Sequence, residues 1–321
     1  MHSSGISRRH FLRFWPTLLT GFSLTGMKPG MAATSMSNLS RTNMMHKLQD
    51  QRIGLALGAG GANGLAHILM LEIFDELGIK PHRISGSSIG AVIGALYASS
   101  NSARDILHIA DNMIVRENDS WKEAFLHKDI FEWIDFVEPE LGKGGLISGN
   151  AFLSFLYKRI KVDRFEELSI PLSIVATDFW KREQVIMESG NLLPAIQGSM
   201  AIPGLFTPVA HEQRILVDGG LVNPVPFDIL FEDCDFVIAI DVCGEKTQRE
   251  ELSFFDSVFN TFQIMQQSIV REKLVHKQPD IYIRPRISDV RALEFHKLDG
   301  IFKQAEPAKQ QLREAMQQAF A

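Results

Sequence analysis

Two kinds of apolar run alternate along this chain. One kind is short and almost wholly apolar: "RIGLALG" from Arg52, "RISG" from Arg83, "PLSIVATDF" from Pro171, "RILVDGG" from Arg214, "DFVIAIDV" from Asp235 and "DIYIRP" from Asp280. Runs of this length, bounded by glycine, proline or charge, are the pattern of strands buried in a parallel sheet. The other kind is longer, with apolar residues at helical spacing. "GLAHILMLEIFDELGI" stops at Gly78, a C-cap position, and "SIGAVIGALYASS" is rich in small residues. "SFFDSVFNTFQIMQQSIVREKLVHK" and "GIFKQAEPAKQQLREAMQQAF" are long amphipathic helices, and residues 101–168 read as mostly helical. "EQVIMES" pairs with "PLSIVATDF" as a further strand, and "NLLPAIQGSMAIPG" is a short helix broken at Pro203. Strand–helix alternation of this kind predicts an α/β fold with a largely parallel sheet.

The first fifty residues break this rhythm. "SRRHFLRF" (Ser7–Phe14) is basic, "WPTLLTGFSLTGM" is uncharged, and "KPGMAATS" brings small residues at Gly30 and Ala32 before Ala33. A basic start, a modest apolar segment and a small-residue cut site make an export signal, here of the twin-arginine type. The uncharged stretch is shorter than the roughly 20 residues of a spanning helix. Residues 1–32 are therefore read as a signal peptide, residues 33–50 as a polar linker, and the mature chain as an exported, periplasmic and soluble protein.

Composition narrows the classes. The chain has 321 residues, 45% of them hydrophobic, enough for a packed core. A net charge of −5 argues against nucleic acid as the main partner. The two cysteines, Cys234 and Cys243, flank an apolar run; that is neither a metal spacing nor a disulfide framework, and core positions are the reading for both.

Chemistry enters at "RISGSSIGAV". Ser88 has Gly86 two positions before it and Gly90 two positions after it, where a strand ends and a helix begins. Side chains at those positions would collide in a sharp turn, and glycine lets the serine oxygen stand exposed at the end of the sheet. A serine nucleophile also needs oxyanion donors and a proton acceptor. The first strand opens into "GAGGANG", a loop of backbone N–H groups that includes Gly60, Gly61 and Ala62. A dinucleotide loop needs G-x-G-x-x-G, but the third glycine position holds Asn63, and "SGSS" stands where an acidic residue is required. None of the ten histidines follows a strand beside small residues; His67 and His211 read as surface or supporting groups. Asp218 does follow a strand, with Gly219 and Gly220 giving room for close approach. It is read as the proton acceptor, against the simpler role of a turn-forming aspartate.

Taken together, the glycine loop leading into "GLAH", the elbow "GSSIG", "VATD", "GSMAIPGLFTPV" and "LVDGGLVNPVPFDIL" resemble the patatin-like phospholipase family, bacterial branch. The resemblance runs from about Arg52 to at least Asp241. It implies a three-layer α/β/α sandwich and a Ser88–Asp218 dyad that hydrolyses lipid acyl esters, with amides around Gly60 and Gly61 holding the oxyanion. It implies one catalytic domain over residues 51–285, a C-terminal helical extension over 286–321 packed on it, and no metal or organic cofactor. The partner it implies is a membrane phospholipid or lysophospholipid, met by peripheral contact. Aromatic segments between residues 121 and 158 are candidates for an acyl groove or for core. The chain departs from the family pattern at Ala59, Asn63, Gln197 and Pro224. The departures at Asn63 and Gln197 keep open a catalytically weak lipid-binding protein, and a peptidase or general small-ester hydrolase is a separate alternative.

Overall fold

The computed structural model describes residues 51–113, 159–245 and 254–320. The signal and linker readings for residues 1–50, the helical reading over 114–158 and the aromatic segments of 121–158 lie outside the described residues.

Eight strands form one sheet. They are β1 (Ile53–Leu57), β2 (Arg83–Ser87), β3 (Leu172–Asp178), β4 (Glu183–Met187), β5 (Val209–His211), β6 (Arg214–Asp218), β7 (Phe236–Ile240) and β8 (Ile281–Ile283). The run β3-β2-β1-β7-β8 is parallel throughout. Beyond it the sheet becomes mixed: β4 and β6 pair with β3 antiparallel, and β5 pairs with β6 antiparallel. The described helices are α1 (Ala66–Leu77), α2 (Ile89–Ala98), α3 (Ala103–Met113), α4 (Leu192–Met200), α5 (Phe254–His276) and α6 (Leu298–Phe320). Among the described residues, no helix is long and apolar enough to cross a membrane.

Period-2 alternation sends the sheet's side chains to two faces. Ile53, Leu55, Leu57, Ile84, Ile238 and Ile240 face a large core closed by α1, α2 and α6. Ala56, Val237 and Ala239 face a smaller core with Phe227, Leu230 and, from α5, Val270. Helical layers therefore cover both faces. The closing helix is part of the larger core, with Leu312, Met316 and Phe320 buried in it. Cys234 and Cys243 are buried and free, as their apolar surroundings predict.

The edge of β3 decides where the site forms. β4 occupies one edge of β3 from Ile174 to Asp178. On the other edge β2 pairs with Leu172–Val175, and β6 takes over at Ala176–Asp178. Because β2 is parallel to β3 and β6 antiparallel, their carboxyl ends meet head to head. Ser87 lies opposite Val175, and Asp218 lies opposite the next residue, Ala176.

Candidate active site

Ser88 is the N-cap of α2 at the point where β2 stops, and its backbone has φ 54° and ψ −126°. That region is nearly closed to residues with a Cβ, so the serine sits on a strained turn. The flanking glycines make the turn sterically possible. A Cβ on Gly86 would stand 2.6 Å from the Gly90 carbonyl oxygen, and one on Gly90 would overlap the Leu57 carbonyl. The strained residue is also tied from behind. Its N–H donates to Ser199 Oγ at 2.9 Å, and Ser199 Oγ–H donates to the Val175 carbonyl at 2.6 Å. Ser199 is fully buried at the end of α4.

Asp218 arrives from β6 and is 4% exposed. Its N–H donates to the Ala201 carbonyl at 3.0 Å, and its own carbonyl accepts from Thr177 Oγ1 at 2.8 Å. Carboxylate Oδ1 accepts the Gly220 N–H at 2.7 Å. Oδ2 accepts the Ser88 hydroxyl at 2.6 Å across 130 residues of sequence. Burial is the largest influence on the carboxyl and pushes it up to about 6, against the lowering effect of the Ser88 and Gly220 hydrogen bonds. A Cβ on Gly219 would collide with the Val175 carbonyl, so only glycine allows this approach.

The glycine loop crosses beside them. Gly58 N–H donates to the Ile240 carbonyl and Ala59 N–H to the Pro224 carbonyl, which clamps the loop's entry. Gly60 lies against the Val242 carbonyl, 2.6 Å from where a Cβ would stand, and Gly61 has φ 57°. Ala62 N–H is already donated to the Ala292 carbonyl at 2.8 Å, so of the three amides named from sequence it alone is occupied. Gly60 and Gly61 N–H have no partner among the described residues.

Ser88, Asp218, Gly60 and Gly61 open into one cleft. Its walls are Ile202 and Pro203 after α4, Leu221, Phe259 and Phe262 on α5, and Ala292; Gln263 and Gln266 are the polar members. A carbonyl group with an apolar tail fits such a lining. Among the described residues, no group of three His, Cys, Asp or Glu side chains could hold a metal ion.

The remaining candidates fall elsewhere. His67 is fully buried, its Nε2 shares a 2.9 Å hydrogen bond with the Gly58 carbonyl, and desolvation pushes it down to about 4. It is thus a neutral brace under the glycine loop. His211 is at the β5–β6 turn beside Glu212. Asn63 is buried against Gly244 and does not line the cleft. Sequence reasoning missed the tie from Ser199 and the cleft position of Gln266. "GSMAIPG" was visible as a motif, but nothing local to it marks Ser199 as the partner of an amide 111 residues away.

The Patatin-like phospholipase family model matches residues 55–231, more than half of the chain. An uncharacterized NTE family protein of Mycobacterium tuberculosis is 31% identical over 196 residues, covering 61% of this chain and 50% of that protein. Lysophospholipase NTE1 of Candida glabrata is 27% identical over 282 residues, covering 80% of this chain and 16% of that one. The chain thus spans half or less of the length of these relatives. Among solved structures, VipD from Legionella pneumophila is similar with a TM-score of 0.43 and 15% identity, over 82% of this chain and 66% of that one. The matched segment runs from β1 past β6 and takes in the glycine loop, the strained Ser88 elbow and the Asp218 turn; the chain belongs to the patatin-like phospholipase family.

Proposed function

We propose that this protein is a serine acyl hydrolase that cleaves the carboxylic esters of membrane phospholipids or lysophospholipids. The observation that carries the reading is the 2.6 Å hydrogen bond from Ser88 Oγ, on a strained turn at an apolar cleft, to a buried carboxylate. Buried carboxylates are weakly solvated and hold a proton better than exposed ones, so Asp218 is a stronger base than an ordinary aspartate.

In the proposed mechanism Ser88 Oγ attacks the ester carbonyl while Asp218 Oδ2 takes its proton. Gly220 N–H keeps the carboxylate oriented, and Thr177 holds the Asp218 backbone carbonyl. The Gly60 and Gly61 amides stabilise the oxyanion of the tetrahedral intermediate. Its collapse expels the alcohol, which receives the proton from Asp218, and leaves an acyl-enzyme. A water molecule that gives its proton to Asp218 then attacks the acyl carbon, and Asp218 returns that proton to the departing Ser88 Oγ as the fatty acid is released. The dyad needs no histidine because serine and aspartate touch directly.

The similarity to proteins named lysophospholipase supports a lipid substrate. The apolar lining from Ile202, Leu221, Phe259 and Phe262 supports an acyl chain. The basic, then apolar, then small-residue order of residues 7–33 supports export of the chain before it acts.

Labelling of the full-length chain with a fluorophosphonate tests the dyad. Wild type labels, Ser88→Ala does not, and Asp218→Ala labels at least a hundredfold more slowly. Equal labelling of wild type and Ser88→Ala refutes the assignment.

A further inference from the structure

The β3–β4 connection holds two aromatic rings in solvent. Phe179 is 44% exposed and Trp180 76%. Their placement is built into the loop. Asp178 Oδ1 accepts both the Trp180 N–H, at 3.1 Å, and the Lys181 N–H, at 3.0 Å. Phe179 N–H donates to the Ile215 carbonyl at 2.8 Å, Arg182 N–H donates to the Asp178 carbonyl, and Arg182 carries a positive φ of 60°. The two rings pack edge to face with centroids 4.9 Å apart. Two large rings side by side form a contiguous apolar patch rather than singly scattered apolar residues, and such patches mark interaction sites.

Register locates this tip relative to the cleft. β3 runs parallel to β2, and Val175 is level with Ser87. Asp178 stands three residues further on, so at about 3.3 Å per residue the tip begins roughly 10 Å beyond the level of Ser87, the residue before the nucleophile. It projects at the strand ends where the cleft lies. Lys181 and Arg182 follow the rings directly; Lys181 is exposed and reaches the equally exposed Glu183 at 3.6 Å, and Arg214 stands beside Asp178. Amphipathic rings next to cations are the composition that settles at the headgroup level of a bilayer.

We infer that the Phe179–Trp180 tip is a membrane-docking element, with the rings entering the interface of a phospholipid bilayer and Arg182, joined by Lys181 as it exchanges the exposed Glu183 for a headgroup, meeting its phosphates. This deepens the lipid-ester reading and rests on it for its purpose, since docking brings the cleft to its substrate. A second copy of the chain is the competing occupant. The tip lies beyond the end of edge strand β4 rather than along it, and that strand opens with the exposed Glu183, which disfavours strand addition.

The test is co-sedimentation of the full-length chain with phosphatidylcholine–phosphatidylglycerol vesicles, in a Ser88→Ala background so that lipid is not consumed. Phe179→Ser with Trp180→Ser should weaken vesicle binding roughly tenfold or more, from the apolar area withdrawn. Val275→Ser is the control: Val275 is 78% exposed but about 13 Å along α5 from the cleft-lining Gln266, and binding should persist. Thermal melting establishes that the variants fold, and Trp180→Gln alone serves if the double variant does not. Vesicle binding of the ring variants equal to the parent's overturns the inference, as does no binding by the parent. So does a ring variant that dissociates a dimer and leaves vesicle binding intact. Fluorophosphonate labelling reads the dyad without any membrane, so failure of the docking surface and failure of the hydrolase reading are distinguishable.

Discussion

Asp218→Asn should make this protein more stable and nearly inactive, with the stability gain switched by pH. The carboxyl titrates near 3.8 when unfolded and is pushed up to about 6 in the fold, chiefly by burial. Holding it ionised inside the protein therefore costs ~3 kcal/mol above pH 6. Below about pH 4 the group is protonated in both states and the cost vanishes; it grows as pH rises from 4 to 6 and is complete beyond. Asparagine has the same shape, can still accept the Gly220 N–H, and can donate its amide to Ser88 Oγ, whose own hydrogen then turns to the cleft that Ser88 lines. The variant's Tm should exceed wild type by on the order of 5 °C at pH 8, and the two should converge at pH 4. Scanning calorimetry at the two pH values measures this directly. Ester turnover at pH 8 should fall at least a thousandfold, because the amide cannot take the serine proton. A variant less stable than wild type at pH 8, or a gain of equal size at pH 4, would show that Asp218 is not a desolvated anion and that the base argument is unsound.

Three further outcomes follow from the same geometry. The kcat/KM of the wild type should rise with pH along a limb centred near 6, because only ionised Asp218 can accept the proton; a rate flat from pH 4 to 8 contradicts this. Ser199→Ala leaves the Ser88 N–H buried without an acceptor and the Val175 carbonyl without its donor, which should cost ~1–3 kcal/mol in urea unfolding and lower kcat more than it raises KM; unchanged kcat would remove Ser199 from the positioning of the nucleophile. Ser88→Gly should be more stable than Ser88→Ala by about 1 kcal/mol, since only glycine relaxes at φ 54°, ψ −126°; equal stabilities would mean the elbow stores no strain.

Much of the molecule was legible in local pattern, and what was not has a physical cause. β1, β2, β3, β7 and β8 stand where short apolar runs predicted them, because burial on both faces leaves no other composition. The "NLLPAIQGSMAIPG" helix ends at Met200 rather than at Pro203, because the chain turns there and the Ala201 carbonyl accepts the Asp218 N–H. β5 was invisible: its hairpin turns through Glu212 and Gln213 at positive φ, residues without the Asn-Gly signal of such a turn. The expectation of a largely parallel sheet holds for its centre and gives way at β3, where β4, β6 and β5 run antiparallel.

The same division runs through the site. Sequence alone determined which serine sits between two glycines and which aspartate ends a strand before a glycine pair, because sharp turns leave few residue choices. It named Gly60 and Gly61 with Ala62, but only the fold revealed that Ala62 already spends its N–H on Ala292. That Ser88 and Asp218 touch was decided by tertiary structure. Two strands of opposite direction end against consecutive residues of β3, and this register closes 130 residues of chain into a 2.6 Å contact. Periodicity encodes which face of a strand is buried, whereas contact between distant strand ends depends on pairing partners that no local window contains.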